Sequence, residues 1–194
     1  VFAFRANGTT AWSRSFSATT WAQPAVADFD GDDKPEVAVA TGDTAELHVL
    51  SGDGSSQWET HRSLDGSVTW MTAGEMDGDG AVKIAVATTN GTVVAFDGRT
   101  GDRAWTRGFG AYAAVNALGD GDGDGRPELY TVARDARLRS LDAATGRTEW
   151  TTTLTTSDVQ MTPPPAIGDV DGDGGTEVVA VTNDGIVSVV DAGS

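Results

Sequence analysis

Four times along the chain, a loop of acids and glycines stands directly before a short run of β-branched and small apolar residues. The loops are DFDGDDKPE at 28–36, EMDGDGAVK at 75–83, DGDGDGRPE at 120–128 and DVDGDGGTE at 169–177. Their starts lie 47, 45 and 49 residues apart. A second marker runs in phase with the first: Trp12, Trp58, Trp105 and Trp150, at intervals of 46, 47 and 45. A fixed period near 45 residues means stacked supersecondary units, none of which buries its apolar face alone, and propeller blades have this length.

Each repeat reads as four short strands, A to D, with the acidic loop joining A to B. In the second repeat VTWMTAGEM enters the loop and KIAVATT leaves it. Asn90-Gly91 then makes a two-residue hairpin into TVVAF, and DGRTGD turns the chain into RAWTRGF. Asp184-Gly185 marks the corresponding hairpin of the last repeat. Valine, threonine and aromatics at short, turn-bounded intervals specify strands, and no stretch has helical apolar spacing. The expected fold is all-β: a single propeller domain over 1–194, built of four-stranded antiparallel blades. The chain starts with C and D of one blade, runs through three whole blades and ends with A, B and C of another. Two closures are open. The N-terminal D strand (TTAWSRSF) can act as a clasp in a closed four-bladed ring, or the chain is a segment or half of a seven- or eight-bladed one, with self-association as a consequence. The start at Val1, mid-pattern and with no visible signal peptide, reads as a trimmed segment of something longer. The periodic tryptophans are expected to dock blade on blade.

Charge is concentrated where the repeats are marked. The formal net charge is −16, and 16 of the 29 acids lie in the four loops, Asp33 among them. The other 13 acids equal the 13 Lys and Arg, so no basic stripe exists for nucleic acid or anionic lipid. No run of 18 apolar residues is present to span a membrane. Cysteine is absent, which excludes disulfides and thiolate metal sites.

The acids fall at positions 1, 3 and 5 of every loop and at 9 in three, with Gly at position 4 in every copy and at position 6 in three (Gly80, Gly125, Gly174). Alternating carboxylates around tight glycine turns can converge their oxygens on one point, and a hard cation with 6–8 oxygen ligands suits them: Ca2+ before Mg2+. An EF-hand would need Glu at position 12 and flanking helices. Position 12 is Val39, Val86, Thr131 or Ala180, and both flanks read as strands.

DFDGDDKPEVAVA, DGDGDGRPELYTV and DVDGDGGTEVVAV resemble the calcium loops of FG-GAP and VCBS repeats, the blades of integrin-α-like propellers. FDGRTGDRAW and LDAATGRTEW also resemble the tryptophan-bearing repeats of quinoprotein (PQQ) propellers. The first resemblance implies calcium bound by the side chains at positions 1, 3, 5 and 9 and by the carbonyl at 7. Its ligands would be Asp28, Asp30, Asp32 and Glu36; Asp120, Asp122, Asp124 and Glu128; Asp169, Asp171, Asp173 and Glu177. The second loop departs from the pattern, with Glu75 at position 1 and Lys83 at position 9 beside Asp77 and Asp79. An ammonium there repels a divalent ion, so this loop is expected to be the weakest of the four.

Trp21, Trp70, Tyr112 and Met161 each lie shortly before strand A, on the expected face opposite the acidic loops, where they could stack on sugar rings or anchor a protein side chain. His48 reads as an outward residue of strand C. His61 falls in a D–A loop beside Arg62, Asp65 and Trp70. No nucleophile elbow, P-loop or zinc-binding His motif is present. The expected function is a non-catalytic, calcium-binding scaffold of an extracellular or cell-surface protein with a carbohydrate or protein ligand. The alternative is the propeller part of an extracellular polysaccharide lyase or quinoprotein.

Overall fold

The computed structural model describes residues 1–110, 112–157, 159 and 162–193. It is all-β among these residues, with no helix long and apolar enough to cross a membrane. Five antiparallel sheets follow one another along the chain. The first pairs β1 (Phe2–Phe4) with β2 (Thr10–Ser13). A whole blade follows: β3 (Ala25–Ala27), β4 (Glu36–Thr41), β5 (Glu46–Leu50) and β6 (Arg62–Ser63). The next contains β7 (Val68–Glu75), β8 (Val82–Thr88), β9 (Thr92–Asp97) and β10 (Arg103–Gly108). The third contains β11 (Ala113–Gly119), β12 (Glu128–Ala133), β13 (Arg137–Asp142) and β14 (Thr148–Thr153). The last sheet is β15 (Ala166–Gly168), β16 (Glu177–Val181) and β17 (Val187–Asp191). This is the expected division into C–D, three A–B–C–D blades and A–B–C.

Burial explains why the composition changes along each blade. Middle strands such as β8 and β12 are buried on both faces, and beyond Lys83 and Glu128 they are mostly apolar. Outer strands alternate: β10 buries Trp105 and turns most of its other side chains outward. A strands of successive blades touch one another and form the inner ring. Three apolar cores fill the spaces between blades. One holds Leu47, Val49, Val86 and Phe96, the next Val93, Val115, Leu129 and Leu141, the third Val132, Leu138, Val178 and Ala180.

The periodic tryptophans lock each blade to the next, as expected. Their indole N–H groups donate to a carbonyl in the following C–D turn: Trp12 to Gly52, Trp58 to Gly98 and Trp105 to Ala143 at 2.8 Å, and Trp150 to Ala192 at 3.1 Å. Arginine adds a clamp that sequence reading missed. Two residues after the tryptophan, Arg14 donates to the Gly54 carbonyl, and Arg107 to those of Gly146 and Thr145; Arg62 reaches Gly101 and Thr100 in the same way. The W-x-R pattern at 12–14 and 105–107 was the available signal. At Gly146 the φ is +67°, and a Cβ would lie 2.5 Å from the Trp105 ring. Gly146→Ala is therefore expected to cost about 2–4 kcal/mol, from a left-handed alanine plus a displaced indole. Denaturant unfolding checks this; a loss under about 0.5 kcal/mol would contradict the clamp.

Two expectations are corrected, and one of the two open closures is not seen. The B–C hairpins are not two-residue turns. Three residues (89–91) connect β8 to β9, with only Gly91 at positive φ (77°) and its N–H bonded to the Thr88 carbonyl. Asn90 stays right-handed, so the type I′ turn gives way to one whose single left-handed residue is glycine. Gly185 plays the same part at φ 89°, bonded to Thr182. In the first whole blade the D strand is only β6, and Trp58 and His61 precede it rather than lying within and after it. Last, no ladder joins β1–β2 to β15–β17 among the described residues, so TTAWSRSF does not clasp the last blade into a closed ring. Phe2 and Phe4 (66% and 64% exposed) and Val187 and Val189 (62% and 55%) leave apolar faces on both outer sheets.

Candidate metal centres in the acidic loops

Loops one, three and four have one geometry, set by backbone N–H groups that cannot pair with other backbone in so tight a turn. The Asp at position 1 accepts from residues 4 and 6: Asp28 from Gly31 (2.6 Å) and Asp33 (2.8 Å), Asp120 from Gly123 (2.8 Å) and Gly125 (3.0 Å), Asp169 from Gly172 (2.6 Å) and Gly174 (3.1 Å). Position 3 accepts from residue 5, and position 5 from residue 7. The Glu at position 9 accepts from residue 2: Glu36 from Phe29, Glu128 from Gly121 and Glu177 from Val170, at 2.7, 2.7 and 2.8 Å. Residues 4 and 6 sit at positive φ throughout, which is why glycine fills them; Asp33 alone takes position 6 as a non-glycine, at φ 65°.

These bonds aim the carboxylates at one another. In loop three, ligand oxygens of Asp120, Asp122, Asp124 and Glu128 all lie within 4.8 Å; in loop four those of Asp169, Asp171 and Glu177 do, and in loop one those of Asp28, Asp30 and Asp32. Glu36, Glu128 and Glu177 are 3%, 3% and 8% exposed. Burial pushes the carboxyls of Glu36 and Glu128 above the ordinary range, and the backbone N–H each accepts only partly offsets this. Tyr130 also donates to Glu128 Oε2 at 3.2 Å, and burial raises its own phenol. Sequence reading missed this support, although Tyr130 stands two residues after Glu128 on the same face of β12. In loop one Gln57 donates to Asp30, and Lys34 pairs with Asp32 at 2.7 Å, so two of its oxygens already have protein partners.

Loop two contains its own cation. The Lys83 ammonium, 6% exposed, lies 2.7 Å from Asp77 Oδ1 and 3.1 Å from Asp79 Oδ2. Burial alone would lower its pKa, but the two carboxylates more than offset this and raise it. Glu75 and Asp79 are correspondingly held below the carboxylate range, by backbone N–H bonds first and by Lys83 in addition. Glu75, one methylene longer than aspartate, accepts from Asp77 and Gly78 and not from position 6. Hence a buried ammonium lies among the acids of loop two, loop one has only the exposed Lys34 on Asp32, and the acids of loops three and four converge with no ammonium paired to them among the described residues.

Of the four residues expected on the opposite face, three fall within the described structure. Trp21 is 76% exposed, Trp70 is half-buried on β7 and Tyr112 is half-buried. None of these three lines the cavities at the acidic loops or the cavity beside β5. Met161 lies outside the described residues.

Blades of this topology, clamped by D-strand tryptophans, define a β-propeller of PQQ-like repeats. The family model PQQ_2, described as outer membrane protein assembly factor BamB, matches residues 89–194, more than half of the sequence, and the chain belongs to this family. No curated protein matches it significantly. Among solved structures it is similar to BamB from Moraxella catarrhalis (TM-score 0.68, 19% identity), covering 95% of this chain and 53% of that one. It is similar to the V. cholerae biofilm matrix protein Bap1 (0.72, 15%), covering 98% and 59%, and to BBS1N, solved in complex with ARL6DN (0.71, 15%), covering 96% and 56%. The chain thus spans about half the length of these propellers.

Proposed function

We propose that this chain is a calcium-stiffened propeller scaffold that presents a binding surface outside the cell. What carries the reading is the contrast between loops: buried Lys83 neutralises loop two, while in loops three and four Glu128 and Glu177 are buried among aspartates that no protein ammonium pairs with, and loop one has only the exposed Lys34 on Asp32. A folded chain keeps such carboxylates ionised only beside a positive charge. Seven or so oxygens from four side chains, a backbone carbonyl and water match calcium, whereas magnesium demands near-ideal octahedral geometry and keeps its waters. The D-x-D-G-D-G-x-x-E spacing supports an FG-GAP or VCBS-type loop grafted onto a PQQ-type blade.

An extracellular setting fits weak sites, since modules there bind calcium at about 10⁻⁴ to 10⁻³ M. Bap1 is named as a biofilm matrix protein and BBS1N was solved with a protein partner. They support a carbohydrate or protein ligand for this chain, with Trp21, Trp70, Tyr112 and Met161 as candidate contacts. Further blades, or a second copy, would cover the apolar outer sheets. Calorimetric titration of chelator-treated protein tests the reading: calcium should bind saturably in the millimolar range or tighter, magnesium at least tenfold more weakly. Equal affinities, or no heat, would overturn it.

A further inference from the structure

The chain has two histidines, and they meet at one carboxylate. His48 on β5 and His61 just before β6 both direct Nε2 at Glu46, 3.1 Å from Oε2 and 3.4 Å from Oε1 respectively. Their rings are 5.3 Å apart. The strand's period of two explains the placement. Leu47 and Val49 enter the core shared with the next blade, so Glu46 and His48 face the other way, where the Phe16 ring packs on His48 at 4.7 Å. In the third whole blade the residue in register with His48 is Arg139. It packs on Phe109 at 4.7 Å and is neutralised by Asp135. At Glu46 the only ion-pair partners among the described residues are the two imidazoles.

We propose that Glu46, His48 and His61 form a site for a divalent transition metal of the zinc class, separate from the acidic loops. Two imidazole nitrogens and one carboxylate oxygen are the donor set of zinc sites that keep a fourth position open. Ligands about 2.0–2.1 Å from a tetrahedral ion are roughly 3.3–3.4 Å from one another. Each Nε2 already stands 3.1 or 3.4 Å from its own oxygen of Glu46, and one ligand atom from each of the three residues lies within 4.8 Å of the others. His61 is 43% exposed and can adjust around an arriving ion, while Phe16 fixes His48. The fourth position opens on a cavity of about 250 Å³ bordered by Arg14, Ser56, Glu59 and Thr60, with room for water or an anionic oxygen ligand. Donor chemistry keeps the two kinds of site apart: oxygen-only loops select a hard cation, and the imidazole pair a borderline one.

Cobalt(II) and zinc are titrated into the chain with calcium in large excess, so that the acidic loops are saturated. One equivalent of cobalt should produce the visible absorption of a four-coordinate nitrogen–oxygen site, and zinc should displace it. His61→Ala removes an exposed ligand and should weaken zinc binding about 100-fold, with Glu46→Gln close behind, while calcium binding and circular dichroism stay unchanged. Imidazole NMR resonances of both histidines should shift together at one equivalent. The site is refuted by the absence of cobalt absorption, or by zinc binding that His61→Ala and Glu46→Gln both leave intact.

Discussion

Stripping calcium from this protein is expected to lower its melting temperature by about 10 °C. An ion that binds only the folded state contributes RT ln(1 + [L]/Kd), about 1.4 kcal/mol per site at roughly ten times Kd. Three sites then supply about 4 kcal/mol, a large part of a typical total of about 5–15. For a domain of 150–250 residues each kcal/mol moves Tm by about 2–4 °C. The sites should contribute unequally. Loop three brings all four carboxylates together and has Tyr130 behind Glu128, whereas calcium in loop one must compete with Gln57 and Lys34. Asp122→Asn should accordingly reduce the calcium-dependent shift more than Asp30→Asn. Thermal melts in calcium and in chelator that coincide would exclude a structural role for the ion.

Lys83→Glu should convert the self-neutralised loop into a fourth calcium site. The lysine holds Asp77 and Asp79 from a nearly buried position, so the substitution removes the loop's only cation and adds a fourth carboxylate. Without calcium the variant should melt several degrees below the parent, because like charges remain uncompensated in a partly buried site. With calcium the gap should close, since the added glutamate stands where Glu36, Glu128 and Glu177 stand in the other loops. The calcium-dependent gain should exceed the parent's by about 1.4 kcal/mol at roughly ten times Kd, one site's worth. Lys83→Met is the control: it loses the ammonium, gains no ligand and should be destabilised with or without calcium. If Lys83→Glu bound no additional ion, the loops would be acidic turns whose geometry does not depend on a cation.

The repeat was legible because it is written twice, in loops and in tryptophans, and each copy obeys local rules. Positive φ at positions 4 and 6 favours glycine, and a D-strand indole needs a carbonyl one blade on. Those signals mark the repeats and place the acidic loops between the first and second strands of each blade. Where a feature depends on which residue of a turn goes left-handed, the sequence was ambiguous: Asn90-Gly91 fits a two-residue hairpin as well as the three-residue one that forms. One cluster within the first whole blade was hidden for another reason. Glu46, His48 and His61 belong to no repeat, and only the strand period combined with the short β6 brings them together. Nearness to strand A does not determine where a loop side chain points; Trp21 packs beside Gly42.

Crystals grown in calcium, with diffraction recorded at a long wavelength where calcium scatters anomalously, test the central claim most directly. Three anomalous peaks are predicted, inside the loops at 28–36, 120–128 and 169–177, each surrounded by the carboxylates at positions 1, 3, 5 and 9 and the carbonyl at position 7. Loop 75–83 should show only the Lys83 ammonium. Three loops without density, or a fourth peak beside Lys83, would contradict it.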